Sequence, residues 1–244
     1  MSDDQEIDEQ AISQLDWNAQ SLHTTTIGRA VQEVVTDMTL GKREKTSAFA
    51  QYHREVDDAI GNLSQSFWDI DLTIKLIEFA HPKIKSFKMT RVDRGDYLKY
   101  IFENYFFRLP KLKDQVLQLL NVVYEMGHGQ SPGLEKKVRK HPRIQGQHVE
   151  TYLNYLDEAL EKIKPLRDLI AHRGDLPGAD FAMLTSYQLS PYDREVYEEQ
   201  LKAMNSYTYI LEKNQGALKQ MVIILLMHLK DDFDKVAGNL SRTP

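Results

Sequence analysis

Apolar residues recur at every third or fourth position along four long stretches of this sequence, and this spacing constrains the fold more than any other feature. Because an α-helix turns once in about 3.6 residues, such positions form one stripe along one face of a helix. The pattern predicts helices over residues 46–80, 97–126, 148–173 and 191–240. The stripe of the second stretch consists of Leu98, Ile101, Phe102, Tyr105, Leu109, Leu112, Val116, Leu119, Val123 and Met126.

Prolines and glycines mark the ends of these stretches. Pro82 follows the first stretch and Gly174 directly follows the third, at positions where helices commonly stop. Ser190 and Pro191 form a cap and first-turn pair for the fourth. Pro110 falls inside the second stretch, where proline kinks or divides a helix.

Four to five long amphipathic helices with modest connections predict an all-α fold, an antiparallel helical bundle. The fifth is a shorter helix predicted over residues 23–40. Residues 127–147 and 174–190 lack the helical period and are predicted to be irregular. We therefore expect an acidic N-terminal extension with a short helix over 1–45 and one bundle domain over 46–244.

Charge and composition exclude several classes of protein. The first 40 residues hold eight acids and one base, a charge of −7, so the net charge of −5 leaves +2 for the remainder. A nearly neutral body gives no broad electrostatic surface for nucleic acid. There is no cysteine, and the longest apolar run, Met221–Met227, is far shorter than the roughly 20 residues that span a bilayer. With no signal-peptide pattern at the N-terminus, we expect a cytoplasmic protein without membrane contact.

Side-chain spacing suggests two kinds of binding site, one for a metal ion and one for phosphate. The pairs Glu78/His81 and Glu125/His128 have a spacing used in di-iron bundles, but both fall at helix ends, so we predict no metal and no cofactor. A basic cluster lies within residues 127–147 and is either solvated charge or a contact for a phosphate backbone. The cluster comprises Lys136, Lys137, Arg139, Lys140 and Arg143.

The segment around Arg167 stands apart from the rest. The apolar stripe of the third helix, Leu156, Leu160 and Ile163, leads by its own spacing to Arg167. Burying an unpaired charge is costly, so this arginine needs a carboxylate, a carbonyl, a subunit interface or a phosphate as its partner.

His172 lies five residues after Arg167, about 140° around an ideal helix, whereas Asp168 and His172 share one face. A carboxylate there can fix the imidazole tautomer and favour its protonated form. On these residues alone, the simplest interpretation is a capped helix end with a buried arginine–carboxylate pair.

The sequence Arg167-Asp168-Leu169-Ile170-Ala171-His172, at the end of a bundle helix, resembles the Arg-x4-His signature of the HEPN superfamily. The aromatic-rich stretch from Asp96 to Leu109 is also similar to bacterial HEPN-like proteins, and the helical order over about 46–240 is compatible with that family. Two departures are Asp168, where the family often has Asn or His, and Pro165, which removes a helical N–H just before the motif.

The resemblance implies a homodimer in which two motifs face each other and act as a metal-independent endoribonuclease. His172 would be the general acid or base, Arg167 would stabilise the charged phosphate, and Asp168 would orient the motif. Arg173 and the basic cluster would contact RNA. A defence or toxin–antitoxin role would add an antitoxin or regulatory protein as a partner. The alternative is a non-catalytic HEPN-like bundle that binds a nucleotide, RNA or a protein.

Overall fold

Seven α-helices and one 3-10 turn account for the secondary structure in the computed structural model, which describes residues 22–23, 25–80, 94–129, 132–173 and 194–242. No strand occurs within these ranges, and none of their helices is long and apolar enough to cross a membrane. The helices are α1 (Thr26–Thr39), α2 (Ala48–Leu76, extended by the 3-10 turn Ile77–Ala80), α3 (Arg94–Val123), α4 (Leu134–Arg139), α5 (His148–Arg173), α6 (Arg194–His228) and α7 (Lys230–Leu240).

The N-termini of α1 and α2 are capped by hydroxyl side chains. Thr25 Oγ1 accepts a hydrogen bond from the Gly28 N–H at 3.2 Å, and Ser47 Oγ accepts one from the Ala50 N–H at 3.2 Å. Both bonds satisfy helix donors that have no partner within the helix. Gly28 also allows a close approach of the chain, because a Cβ there would lie 2.6 Å from the Leu22 carbonyl oxygen.

Among the described helices, α2 and α3 form the most extensive contact, and they run antiparallel. At one end the Tyr52 hydroxyl donates to the Val123 carbonyl at 3.0 Å, and towards the other the Tyr97 hydroxyl donates to the Leu76 carbonyl at 3.1 Å. Residue numbers therefore rise along α2 as they fall along α3.

Helices α5 and α6 complete the bundle. Helix α5 packs on α3, where Lys113 contacts Asp157, and α6 packs on both α5 and α2. The rings of His148 at the start of α5 and His228 at the end of α6 stack 5.7 Å apart, so these helices are antiparallel too. The four long helices thus enclose one core, which confirms the predicted all-α bundle.

One continuous apolar core fills the bundle, and α1 contributes to it through Ile27 and Val31. Its largest fully buried side chains come mainly from α2 and α3: Phe67, Ile60, Leu63, Ile70, Leu98, Tyr105, Leu109, Leu112 and, from α7, Phe233. Each such aliphatic or aromatic side chain contributes about 1.5–3 kcal/mol on burial. The periodic stripes predicted from the sequence are therefore the residues that hold the helices together.

Three local expectations differ from the structure. Helix α3 continues through Pro110, so the proline does not divide it. The prediction that residues 127–147 are irregular was wrong in part, because α4 forms there with Leu134 and Val138 buried. The fourth predicted helix is interrupted at Leu229, which separates α6 from α7. The end signals Pro82, Gly174 and Ser190-Pro191 lie outside the described residues.

A buried histidine makes the stability of this fold sensitive to acid. His53 is only 3% exposed, packs between the rings of Phe49, Tyr52 and Phe233, and its Nδ1 lies 2.8 Å from the Phe49 carbonyl oxygen. Burial lowers the pKa of His53 below its usual 6.5. The unfolded chain thus binds a proton more readily, so this stabilisation is present above about pH 6.5 and is lost as pH falls.

We expect the free energy of unfolding, measured by urea titration with circular dichroism, to fall between pH 7 and pH 5. His53→Leu should reduce the slope of this fall, because leucine keeps the packing but takes up no proton. An unchanged slope in the variant would show that His53 is not a source of the acid sensitivity.

Candidate functional site

The Arg-x4-His motif lies in the last two turns of α5, whose backbone is helical through Arg173. The helix continues through Pro165, so the motif keeps the helical register of the preceding turns. Asp168 and His172 therefore share one face, and Arg167 lies about 140° from His172 around the axis. The predicted burial of Arg167 and the side chains of the motif lie outside the described residues.

The register between α3 and α5 fixes the level of the motif in the bundle. Lys113 of α3 contacts Asp157 of α5, and nearer the start of α3 Phe106 and Pro110 share a groove with Leu160 and Lys164. Continued along both helices in antiparallel register, this places residues 167–172 level with residues 98–103 of α3.

An open groove of about 310 Å³ lies between α3 and α5 on the turns before the motif. Leu160 and Lys164 line it, and Arg167 lies seven and three residues after them in the register of the same helix. Pro110 and Pro165 have no N–H, so the carbonyls of Phe106 and Glu161 lose their usual helical donors. Both of these residues line the groove.

The basic cluster lies on and after α4, on the outer side of α3 and α5. Lys136, Lys137 and Lys140 are exposed and form no ion pair with the described residues. Arg139 differs, because it is only partly exposed and bonds across to α5. The three lysines are therefore accessible to a ligand, whereas the arginine is paired with carboxylates of the protein itself.

Arg139 belongs to a network of four charged residues that joins α3, α4 and α5. Lys113 Nζ donates to Glu135 Oε1 at 2.7 Å and to Asp157 Oδ1 at 2.6 Å. Arg139 Nε donates to Glu135 Oε1 at 3.0 Å, and its guanidinium also bonds Asp157. Burial alone would raise the pKa of Glu135, but the hydrogen bonds from Lys113 and Arg139 outweigh it and lower that pKa.

No local pattern in the sequence identifies Asp157 as a partner of Arg139 or of Lys113, because Asp157 lies on another helix, 18 and 44 positions away. Of the metal-ligand pairs weighed above, His81 lies outside the described residues. Within the ranges that are described, no three His, Asp or Glu side chains are grouped so as to hold a metal ion.

The sequence matches the model of a known protein family. A sequence profile of the Cthe2314-like HEPN family matches residues 52–236, which include α3, the motif and all of α6. The chain belongs to this HEPN family. The match covers about three quarters of the sequence and confirms the resemblance drawn from Arg167 and His172. No curated protein and no solved structure is significantly similar to this HEPN protein.

We expect Arg139→Met to lower the free energy of unfolding by about 1–3 kcal/mol, because it leaves Glu135 and Asp157 short of donors in a partly buried position. The matched control is Lys137→Met on the same helix, which removes an exposed charge without an ion pair and should change stability by less than about 0.5 kcal/mol. Equal effects in urea titrations of the two variants would contradict the assigned role of the network.

Proposed function

We propose that this HEPN protein is a metal-independent endoribonuclease that acts as a homodimer. The observation that carries the proposal is that Arg167 and His172 keep the family spacing inside the matched region, on a helix that is continuous through Arg173. In this reaction the ribose 2′-hydroxyl attacks the adjacent phosphate, so the protein supplies proton transfer and charge stabilisation rather than a nucleophile.

Each motif residue has a separate role in this proposal. His172 transfers a proton to or from the 2′-hydroxyl or the leaving oxygen. Arg167 binds the phosphate oxygens that gain charge in the transition state, and a guanidinium suits this because it donates in a fixed fork. Asp168, one turn before His172, orients the imidazole and stabilises its protonated form.

The exposed lysines of α4 and Arg173 provide the proposed contacts with RNA. Helix α4 is joined to α5 at Asp157, ten residues before Arg167, which corresponds to about 15 Å along the helix. A single strand bound at the motif can therefore also reach Lys136, Lys137 and Lys140 with its backbone. Arg139 contributes to this surface by holding α4 in place, since its guanidinium is already bonded to Asp157.

Exposed apolar side chains near the motif support the dimer. Tyr100 and Phe107 are 62% and 52% exposed on one face of α3, beside the level of the motif. On the neighbouring α2 and its 3-10 turn, Trp68, Leu72 and Phe79 are exposed as well. A set of this kind is typical of an interaction surface, and a second copy of the chain placed on it would bring two motifs to the same side of the bundle.

The first test is cleavage of RNA by the purified protein in excess EDTA. We expect cleavage to persist, to fall about 10²–10⁴-fold in His172→Ala through loss of proton transfer, and to fall about 10²–10³-fold in Arg167→Ala through loss of transition-state stabilisation. Lys213→Gln, at an exposed position on α6, is the control that should cleave like the wild type.

Circular dichroism and sedimentation of each variant show whether it is folded and associated. Cleavage that needs a metal ion, or that survives in folded His172→Ala, would contradict the proposed chemistry. Unfolding of Arg167→Ala together with inactivity of the wild type would favour the non-catalytic bundle, in which Arg167 is a structural residue.

The dimer is tested separately by sedimentation equilibrium. We expect Phe107→Ser to raise the dissociation constant about 30-fold, which corresponds to roughly 2 kcal/mol for a well-buried aromatic contact. Leu40→Ser is the matched control, because Leu40 is an exposed apolar residue too but lies by the start of α2, at the opposite end of the bundle. A monomeric wild type, or equal loss of dimer in both variants, would argue against this surface.

A further inference from the structure

A second open cleft lies at the end of the bundle opposite the motif. It has a volume of about 400 Å³, within the usual range for small-ligand sites. The end of α3, the loop before α5, the start of α5, the end of α6 and α7 all contribute to it. His148, at this cleft, is 24 residues before His172, about 36 Å along α5, so the cleft is no part of the motif site.

Stacked rings form one wall of the cleft. The ring centroids of His148 and His228 lie 5.7 Å apart, and the two ring planes make an angle of 20°. The Tyr152 ring also contacts His228, with 5.5 Å between the centroids. Both histidines are exposed on the cleft side, so their ring N–H groups are accessible to a ligand. Because the rings come from α5 and α6, the bundle itself holds them in position.

The charged groups of the cleft leave one cation without a carboxylate partner. Asp232 accepts a hydrogen bond from the Tyr124 hydroxyl at 3.0 Å and pairs with Lys235 at 3.5 Å. Arg143 is held over the Tyr124 ring at 5.9 Å and forms no ion pair with the described residues. With Asp232 and Lys235 balanced, the lining carries a charge of +1 from Arg143 when both histidines are neutral, and +3 when both are protonated.

The neighbouring carboxylates lie outside the lining of the cleft. Glu150 accepts the Gly146 N–H at 2.6 Å but keeps its negative charge, so it offsets part of the excess, whereas Asp234 is paired with Lys230. Glu125 is exposed to solvent, where its field is screened, and His141 lies against Tyr124. His148 also occupies the first turn of α5, whose free N–H groups favour a negative charge.

We propose that this cleft binds a tetrahedral dianion, a phosphate group or its sulfate equivalent, on Arg143, His148 and His228, and that binding is linked to proton uptake by His228. A guanidinium and two imidazolium rings offer only donors, so they match an oxyanion and no cation. The phosphate is either the free ion or the ester group of a small molecule, since the cleft has room for both.

The linkage has a definite sign. Burial and the nearby His148 lower the pKa of His228, so the free cleft holds this ring neutral near pH 7. A bound dianion favours the protonated His228 ring, so the bound anion and the bound proton strengthen each other. Affinity for the anion should therefore rise as pH falls from 8 to 6.

The test uses sulfate, which stays a dianion across this range, so that any pH dependence belongs to the protein. Backbone amide spectra recorded during a sodium sulfate titration, with chloride holding the ionic strength constant, give the dissociation constant. We expect saturable shifts at Arg143, His148 and His228, and binding about tenfold tighter at pH 6 than at pH 8 through the proton linked to His228.

Arg143→Gln should weaken binding at pH 6 about tenfold through loss of a charge-assisted bond, and Arg143→Lys should restore part of it. His148→Gln/His228→Gln should bind sulfate with little pH dependence, while Lys213→Gln, which removes an exposed charge elsewhere on α6, should match the wild type. Ribose 5-phosphate compared with inorganic phosphate at pH 6 distinguishes an ester from the free ion.

Shifts that do not saturate at pH 6 would overturn the proposal. So would binding that is insensitive to Arg143→Gln in a folded variant, or a pH dependence that persists in the double histidine variant. None of these measurements depends on ribonuclease activity. They therefore test anion binding at the cleft separately from the function proposed for the motif.

Discussion

The antiparallel contact between α2 and α3 is the interaction on which the other elements depend. Helices α1, α6 and α7 pack on α2, whereas α4 and α5 pack on α3. Each large apolar side chain buried between them contributes about 1.5–3 kcal/mol, while each of the two tyrosine–carbonyl bonds adds about 0.5–1.5 kcal/mol. Apolar burial therefore supplies the stability, and the bonds of Tyr52 and Tyr97 at the two ends select the register. A shift of α3 along α2 would move the surfaces that hold α5, and the motif with them.

Helix α5 is anchored over its first half and carries its motif beyond the anchors. The His148–His228 stack fixes its start, Leu153 and Leu156 are buried in the core, and Asp157 joins the network around Lys113. From there the chain is helical to Arg173, so the position of the motif follows from the direction of one continuous helix. Pro165 removes one backbone hydrogen bond, between the anchored half and the motif, without ending the helix. The described contacts of α5, including the packing of Leu160 on the core, thus all lie before Arg167 along the helix.

The sequence predicts the helices well because their signal is local. The bounds of α5 agree with the predicted range 148–173, since a sustained apolar stripe reports directly on the buried face. Helix α4 was missed because it buries only Leu134 and Val138, too few positions to show a period. The ion pairs of Arg139 could not be predicted either, because they depend on how three helices cross. The family inferred from the motif is confirmed, whereas the role of its residues stays a prediction, because the placement of their side chains is not described.

Charge on this protein has to be counted after pairing rather than along the sequence. The basic cluster reads as five adjacent cations, yet the fold divides it into three groups with different surroundings. Arg139 is paired with Glu135 and Asp157. The three lysines are exposed on α4 and directly after it. Arg143 lies over the Tyr124 ring, in the cleft lined by His148 and His228. The two open groups are therefore separate surfaces, and the distal one lies about 36 Å along α5 from His172. Because α5 is a continuous helix anchored between them, an anion held at its start and a phosphate at its end would meet different arginines, and a substitution at one need not disturb the other.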